Sequence, residues 1–450
     1  MVACGRLPGM VWTRAWRRWQ RWACVGVGVV SAPGCCCGAM WLLACPPREA
    51  AEAHAGAEGG VATSELDTAR LLCTYLSSVP QGRQREAKGS PQLGDSGPYS
   101  VMYDWMAATR SYAVNESVTY TTHTTPEMVH HVAELATRWS GPLSVAVFVP
   151  HSDFCLAAVR IARLRLCGPP EVREKVSWHL FWPRDVPPAA DWHLVVDETL
   201  LDCAGADEAL AVRGYRAREV MAYPVNVARN VARTAAPTWF VLPSDVELYP
   251  SADLAQQFVA MMARVGAGQD KKVGGACRVF GGPCSKCGAW CPKTRRSSCA
   301  QYQRSDAVYF HRHVCAHCQR FPAINDWIRQ PGKPGMIQAF SVVKRQYPYH
   351  RWEPIYICTK DEPLYDERLS WEGLQDKMTQ MHELCLRGYN LVILDRAFLV
   401  HAPGIKRRSK TKAKDSAWRD PFVAKNSRIY DKIMEEMQNK FGPSDVCHRH

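Results

Sequence analysis

Between Val118 and Pro250 the chain repeats one pattern, and that pattern leaves few folds open. Val118–His123 reads as a strand. Thr125-Pro126 then supplies an N-cap and a proline at the first helical position. The helix that follows spaces Val129, Val132, Leu135, Ala136 and Trp139 on one face until Gly141-Pro142 ends it. Leu143–Val149 is almost wholly apolar, as a strand covered on both faces must be. Phe154–Leu166 is a second apolar-faced helix, and Trp192–Val196 a strand ending at Asp197. Asn226–Ala235 is a helix leading into the apolar run Trp239–Leu242. Alternating strands and helices predict an α/β domain with a largely parallel sheet. No internal repeat is visible.

That last run breaks at Pro243 and presents Asp245 and Glu247. In extended chain, residues two apart share a face, so both carboxylates can converge beyond the strand end. In open α/β sheets that is where ligands bind. Two hard oxygen ligands there suit Mg²⁺ or Mn²⁺ on a nucleotide diphosphate. The plain alternative is a solvated acidic turn, with Pro250-Ser251 opening the next helix.

The formal net charge of +13 admits nucleic acid as a partner, but the basic residues form separate patches and no nucleic-acid-binding motif occurs. Acidic substrates or a membrane surface account for such patches equally. Arg6, Arg14, Arg17, Arg18 and Arg21 precede an uncharged stretch from Trp22 to Cys45. That length suits a transmembrane anchor, and the arginines keep its N-terminal side cytoplasmic. A cleaved signal peptide is the alternative. Residues 46–100 read as a stem, with a short helix at Ser64–Leu76. Asn115-Glu-Ser117 is a glycosylation sequon for a chain in the secretory pathway.

The 20 cysteines fit an oxidising compartment. Residues 277–320 hold Cys277, Cys284, Cys287, Cys291, Cys299, Cys315 and Cys318, with His311, His313 and His317. Cys284/Cys287 and Cys315/Cys318 are paired C-x-x-C knuckles that can hold zinc. Behind an anchor, disulfides are the expectation. Further on, a helix from Trp371 to Arg387 is capped by Gly388, and Leu391–Leu394 is a strand. Ala397–Val400 leads to His401, where the chain leaves the sheet beside Gly404 and a basic run. That position favours a ligand histidine over a core one.

Five stretches in this order resemble glycosyltransferase family 49, the family of β-1,4-glucuronyltransferases and the LARGE C-terminal domain. They are Tyr223-Pro-x-Asn226-x-x-Arg229-Asn230-x-x-Arg233, Asp245-Val-Glu247-x-x-Pro250-Ser251 and Trp352-Glu-Pro-x-Tyr356, then Tyr365-Asp-Glu-Arg368 and Phe398-Leu-Val-His401-x-x-Gly404-x-Lys406. The resemblance spans about residues 118 to 440. It implies a GT-A-type, Rossmann-like domain, a UDP-sugar donor, Mn²⁺ (or Mg²⁺) and a single-pass type II Golgi membrane topology with the catalytic domain lumenal. The chain then divides into a cytoplasmic tail (1–21), a signal-anchor helix (22–45) and a stem (46–117). The glycosyltransferase domain (118–440) carries a cysteine-rich insertion (277–320), and a tail (441–450) follows.

By that resemblance Asp245 and Glu247 fall on the family's Asp-x-Asp metal motif, with His401 completing the site. Glu247 departs from the second Asp by one methylene. Lys406 adds charge near the leaving UDP. Arg229 and Arg233 share a helix face. They and Asn230 are candidates for the donor, with one arginine able to pair Asp245; a solvated helix face is the alternative. An inverting transferase needs a general base at the acceptor hydroxyl. Glu353, Asp366, Glu367 and Asp376 are the candidates; for Asp366 or Glu367 the alternative is a structural pair with Arg368. The implied reaction moves a sugar, with glucuronic acid foremost, from UDP to a glycan hydroxyl of a glycoprotein. UDP-xylose and UDP-N-acetylglucosamine are alternative donors. Partners are the donor, the acceptor glycan and the membrane, with assembly into homo- or hetero-oligomers with other glycosyltransferases left open. The competing class is a lumenal glycan-binding or scaffolding protein that kept the fold without turnover.

Overall fold

The computed structural model describes residues 92–189, 203, 213–266, 276–280, 308–313, 315, 317–329, 336–401 and 417–449. All of them lie in one compact unit, 59–450. The expected anchor, the Ser64–Leu76 helix, the Trp192–Val196 strand, Lys406 and most of the cysteine-rich stretch fall outside the described residues.

Twelve strands are described: β1 (Gln92–Ser96), β2 (Tyr99–Met106), β3 (Val118–Thr124), β4 (Leu143–Phe148), β5 (Val176–Pro183), β6 (Phe240–Pro243), β7 (Leu248–Pro250), β8 (Ala276–Phe280), β9 (Gln338–Val343), β10 (Tyr356–Thr359), β11 (Asn390–Asp395) and β12 (Leu399–His401). Ten form one sheet in the order β1-β2-β5-β4-β3-β6-β10-β8-β11-β9. Its centre, β5-β4-β3-β6, is parallel. Beyond β6 the sheet continues through β10, antiparallel to both β6 and β8, and β11 then runs parallel to β8. The sheet is therefore mixed, not largely parallel.

The parallel centre shows why its strands are apolar throughout. Val145 and Val147 of β4 face one core with α1 (His131–Arg138) and α2 (Asp153–Cys167). Ala146 and Phe148 face another core with α5 (Val225–Thr234). Alternate residues thus meet helices on opposite faces. Between α2 and α5 lie the short helices α3 (Pro170–Lys175) and α4 (Tyr215–Arg218). After β7 come α6 (Leu254–Gly266), α7 (Ile324–Arg329) and α8 (Met378–Leu386), with the long α9 (Asp420–Phe441) last.

Three elements differ from expectation. β1 and β2, read as stem, pair as a hairpin and join the sheet edge on β5. The helix expected from Trp371 begins only at Met378, because residues 371–377 turn to meet α4, α5 and α9 through Glu372, Asp376 and Asn426. Leu248–Pro250 is a strand of its own, antiparallel to β12.

Candidate active site

The site is built at the C-terminal edge of the parallel strands. Ser244 continues the β3–β6 pairing through its N–H to the Thr121 carbonyl (3.0 Å). The chain then turns tightly, Leu248 N–H bonding the Asp245 carbonyl (3.0 Å). The buried Tyr120 hydroxyl donates to the Leu248 carbonyl (2.6 Å) and pins that turn. Asp245 is therefore presented on a rigid corner of the sheet.

Three groups surround its carboxylate. Lys377 Nζ lies 3.2 Å from Oδ2, Arg229 Nη2 3.5 Å from Oδ1, and His123 Nε2 3.6 Å from Oδ1. Burial alone would raise the Asp245 pKa. Lys377, the neighbouring His123 and Arg229 outweigh burial and hold the carboxyl well below its usual range. Burial lowers the His123 pKa. Tyr223, whose own pKa burial raises, keeps its proton and donates to His123 Nδ1 (2.9 Å). The imidazole then turns its Nε2–H toward Asp245.

The polar stripe of α5 is not solvated. Asn226, Arg229, Asn230 and Arg233 recur at helical spacing and are all buried. They grip the stretch between β10 and α8. Asn226 Nδ2 donates to the carbonyls of Asp366 (2.7 Å) and Asp376 (2.8 Å). Arg229 pairs Asp376 Oδ2 at 2.5 Å as well as Asp245, so the expectation that one of these arginines pairs Asp245 holds. Burial would lower the Arg229 pKa, but Asp376 and Asp245 reverse that and raise it. Asn230 bonds the Tyr365 carbonyl (2.9 Å), the Tyr365 N–H (3.0 Å) and Glu367 Oε1 (2.9 Å). Arg233 donates to the carbonyls of Pro363 (2.8 Å), Thr359 (3.1 Å) and Glu362. Asn230 and Arg233 thus order a loop.

The base candidates separate by their contacts. Asp366 takes a fork from Arg368 Nε (2.9 Å) and Nη2 (2.7 Å), and Arg368 also meets Glu436 (2.7 Å). Glu367 accepts from Asn230, and Asp376 pairs Arg229. Glu353 follows the buried Trp352, and its backbone is held from both sides. Its N–H bonds the Cys318 carbonyl (2.7 Å), and its carbonyl accepts from Gln319 Nε2 (3.0 Å). Burial pushes its carboxyl up to about 7; Asp376 adds to the rise, while Lys377, Arg229 and Arg345 oppose it.

Glu247 and His401 meet because the β7–β12 ladder sets His401 opposite Leu248. His401 Nε2 lies 2.9 Å from Glu247 Oε2, and its ring stacks on Phe310. Two carboxylates and an imidazole are a donor set that fits Mn²⁺ or Mg²⁺. Glu247 and His401 are in contact, but the Asp245 carboxylate, held by Lys377 and Arg229, does not gather with them to within 4.8 Å, so the expected convergence of all three is not met in this arrangement. Among the described residues the side chains whose ligand atoms all fall within 4.8 Å are Cys315, His317 and Cys318. There Cys315 and Cys318 are joined as a disulfide, which leaves no thiolate for zinc. Cys167–Cys203 and Cys385–Cys447 are also bonded. Asn115 is exposed in a turn before β3.

His123 and Lys377 escaped the sequence reading. His123 looked like no more than the last residue of a strand. Lys377 lay inside an expected helix, whereas it is the residue just before α8.

The family model described as glycosyl-transferase for dystroglycan matches residues 117–442. The β-1,4-glucuronyltransferase 1 of Danio rerio is 28% identical over 333 residues, 72% of this chain and 74% of that protein. The human β-1,4-glucuronyltransferase 1 is 26% identical over 356 residues, 78% of this chain and 81% of that protein. Among solved structures, S. aureus TarS is 12% identical and covers 64% of this chain and 36% of its own, with a TM-score of 0.27, too slight a likeness to bear on the fold. No helix among the described residues is long and apolar enough to cross a membrane. The family match spans most of the chain, which therefore belongs to glycosyltransferase family 49.

Proposed function

We propose that this protein transfers glucuronic acid from UDP-glucuronic acid to a glycan hydroxyl of a glycoprotein, in a GT-A-type domain facing the Golgi lumen. The family description adds dystroglycan as the kind of glycoprotein concerned. The observation that carries the reading is the placing of acidic side chains and a histidine along one chain corner at the strand ends. An ionised Asp245 and the Glu247–His401 pair lie on one corner, and Glu353 shares its charged neighbours Lys377 and Arg229 with Asp245.

In this reading Glu353 is the base. A carboxyl whose pKa lies near 7 accepts a proton readily and is partly ionised near that pH. It takes the acceptor hydroxyl proton as that oxygen bonds to the anomeric carbon and the bond to UDP breaks. Asp245, Glu247 and His401 would hold a divalent cation, which supplies neutralising charge to the diphosphate. Arg229 keeps Asp245 and Asp376 in place from beneath.

The test is a panel of UDP-sugars with Mn²⁺, reading UDP release with a glycan acceptor. UDP-glucuronic acid is expected to lead. A preference for UDP-xylose or UDP-N-acetylglucosamine would remove the glucuronyl assignment, and no release from any donor would favour a binding protein. Asp245→Asn is expected to abolish transfer and also to lower the melting temperature, because it takes a partner from Lys377 and the buried Arg229, and Glu247→Asp to be tolerated. Lumenal placement is read by protease protection in microsomes and by loss of a glycan from Asn115 on deglycosylation.

A further inference from the structure

A glucuronyl donor carries a carboxylate, and a carboxylate taken from water without a partner is costly. The pocket must therefore supply a cation. The arginines singled out from sequence are committed elsewhere. Arg233 faces main-chain carbonyls, Arg368 faces Asp366 and Glu436, and the buried Arg229 faces Asp376, Asp245 and Asn226. Arg345 gives its Nε to the Trp352 carbonyl (2.7 Å).

We propose that Lys377 is the specificity-determining cation that receives the donor sugar's carboxylate. This rests on the glucuronyltransferase reading above. The ammonium sits on Asp245 Oδ2 at 3.2 Å, and its side chain is about 20% exposed, so it is recessed without being fully closed off. An ammonium has three N–H donors. Asp245 takes one, and no other hydrogen bond from Lys377 is made among the described residues. It can therefore hold Asp245 and a second anion together. Its placement just before Met378 puts it at the N-terminal end of α8, where the helix adds positive potential of the same sign. A lysine is a point charge on a flexible stem, which suits one carboxylate oxygen.

The anion could instead be the diphosphate, and the experiment separates the two. The detergent-solubilised full-length chain is titrated calorimetrically with UDP, UDP-xylose and UDP-glucuronic acid in Mn²⁺. The comparison covers wild type, Lys377→Gln, Lys377→Arg and Lys406→Gln. Lys377→Gln is expected to weaken UDP-glucuronic acid by roughly tenfold or more, the scale of one charge-assisted contact, while UDP and UDP-xylose move by no more than about twofold. Lys377→Arg is expected to recover most of the loss. Equal weakening of all three ligands, or an unchanged preference for UDP-glucuronic acid in Lys377→Gln, overturns the inference and leaves the glucuronyl reading standing. Loss confined to Lys406→Gln also overturns it. A wild-type chain that binds UDP but shows no preference for UDP-glucuronic acid overturns both.

Discussion

The two halves of the sheet solve different problems. From β3 to β6 the strands run parallel in the order β5-β4-β3-β6, with β6 returning to the far side of β3, and the interior is packed apolar side chains. From β8 onward the order in space is β10-β8-β11-β9, with β8 and β11 parallel between antiparallel β10 and β9. The first half is a scaffold that brings Asp245 to its edge. The second half supplies Glu353, Asp376, Lys377 and His401 from loops and strand ends. Apolar clusters run through both halves, and polar bonds are added to them: the buried amides and guanidinia of α5 hold residues 359–376 by their carbonyls and carboxylates. Apolar packing fixes the scaffold, and directional hydrogen bonds fix the chemistry onto it.

If that division is right, Glu353→Gln should act on rate alone. Its kcat should fall by roughly 10²- to 10⁴-fold with melting little changed. In wild type kcat should rise with pH through about 7, because the base works deprotonated and burial has raised its pKa. A pH profile unaltered by the substitution would move the base elsewhere.

Arg233→Met tests the junction. It leaves the carbonyls of Thr359, Glu362 and Pro363 without their cation, so stability should drop by about 3–5 kcal/mol. Limited proteolysis should then cut within 359–376 before it cuts the scaffold. Simultaneous cleavage of both halves would mean that they do not unfold separately.

The disulfides sharpen the contrast. Cys385–Cys447 closes 62 residues and ties the C-terminal tail to α8, so Cys447→Ser should lose about 4 kcal/mol on chain-entropy grounds. Cys315–Cys318 closes only three, and its loss should cost about 2 kcal/mol or less. Yet Cys318 and Gln319 hold the Glu353 backbone, so Cys318→Ser should lower kcat out of proportion to its effect on melting. Denaturation curves beside kcat for both variants make the comparison.

The smallest effect lies in the scaffold. His179 is fully buried, accepts from the Asp104 N–H at Nδ1 (2.9 Å) and donates through Nε2 to Ser144 Oγ (3.0 Å). Burial lowers its pKa to about 3, so the unfolded chain binds its proton first. Its contribution is complete above about pH 6.5 and is lost as pH falls from there toward 3, amounting to about 2 kcal/mol by pH 5. Asp153, raised by burial to about 6, works in the opposite direction, so the reading is the difference between wild type and His179→Gln. Equal acid sensitivity in both would discard it.

Much of the scaffold was legible because period and burial agree there. Leu143–Val149 could only be a strand covered on both sides, and Phe154–Leu166 only a helix with one dry face. The motif residues were legible as a set, but their tasks were not. Arg233 and Asn230 look like ligand groups on a helix and instead hold a loop, since nothing local says which face of α5 a distant segment will cover. Leu248-Tyr249-Pro250 hid a strand because its partner lies at Leu399–His401, far along the chain. The second half pairs out of order, and a linear reading has no handle on that.

The β7–β12 ladder also has a consequence in time. Glu247 and His401 are separated by about 150 residues, which a ribosome needs roughly ten to thirty seconds to add. Through that interval the nascent chain carries Asp245 on a strand that can already find β3, while Glu247 still lacks its imidazole. The last piece of the site arrives when nearly everything else has been made, so a chain cut short before Leu399 would keep the scaffold's strands and still be unable to assemble the pair.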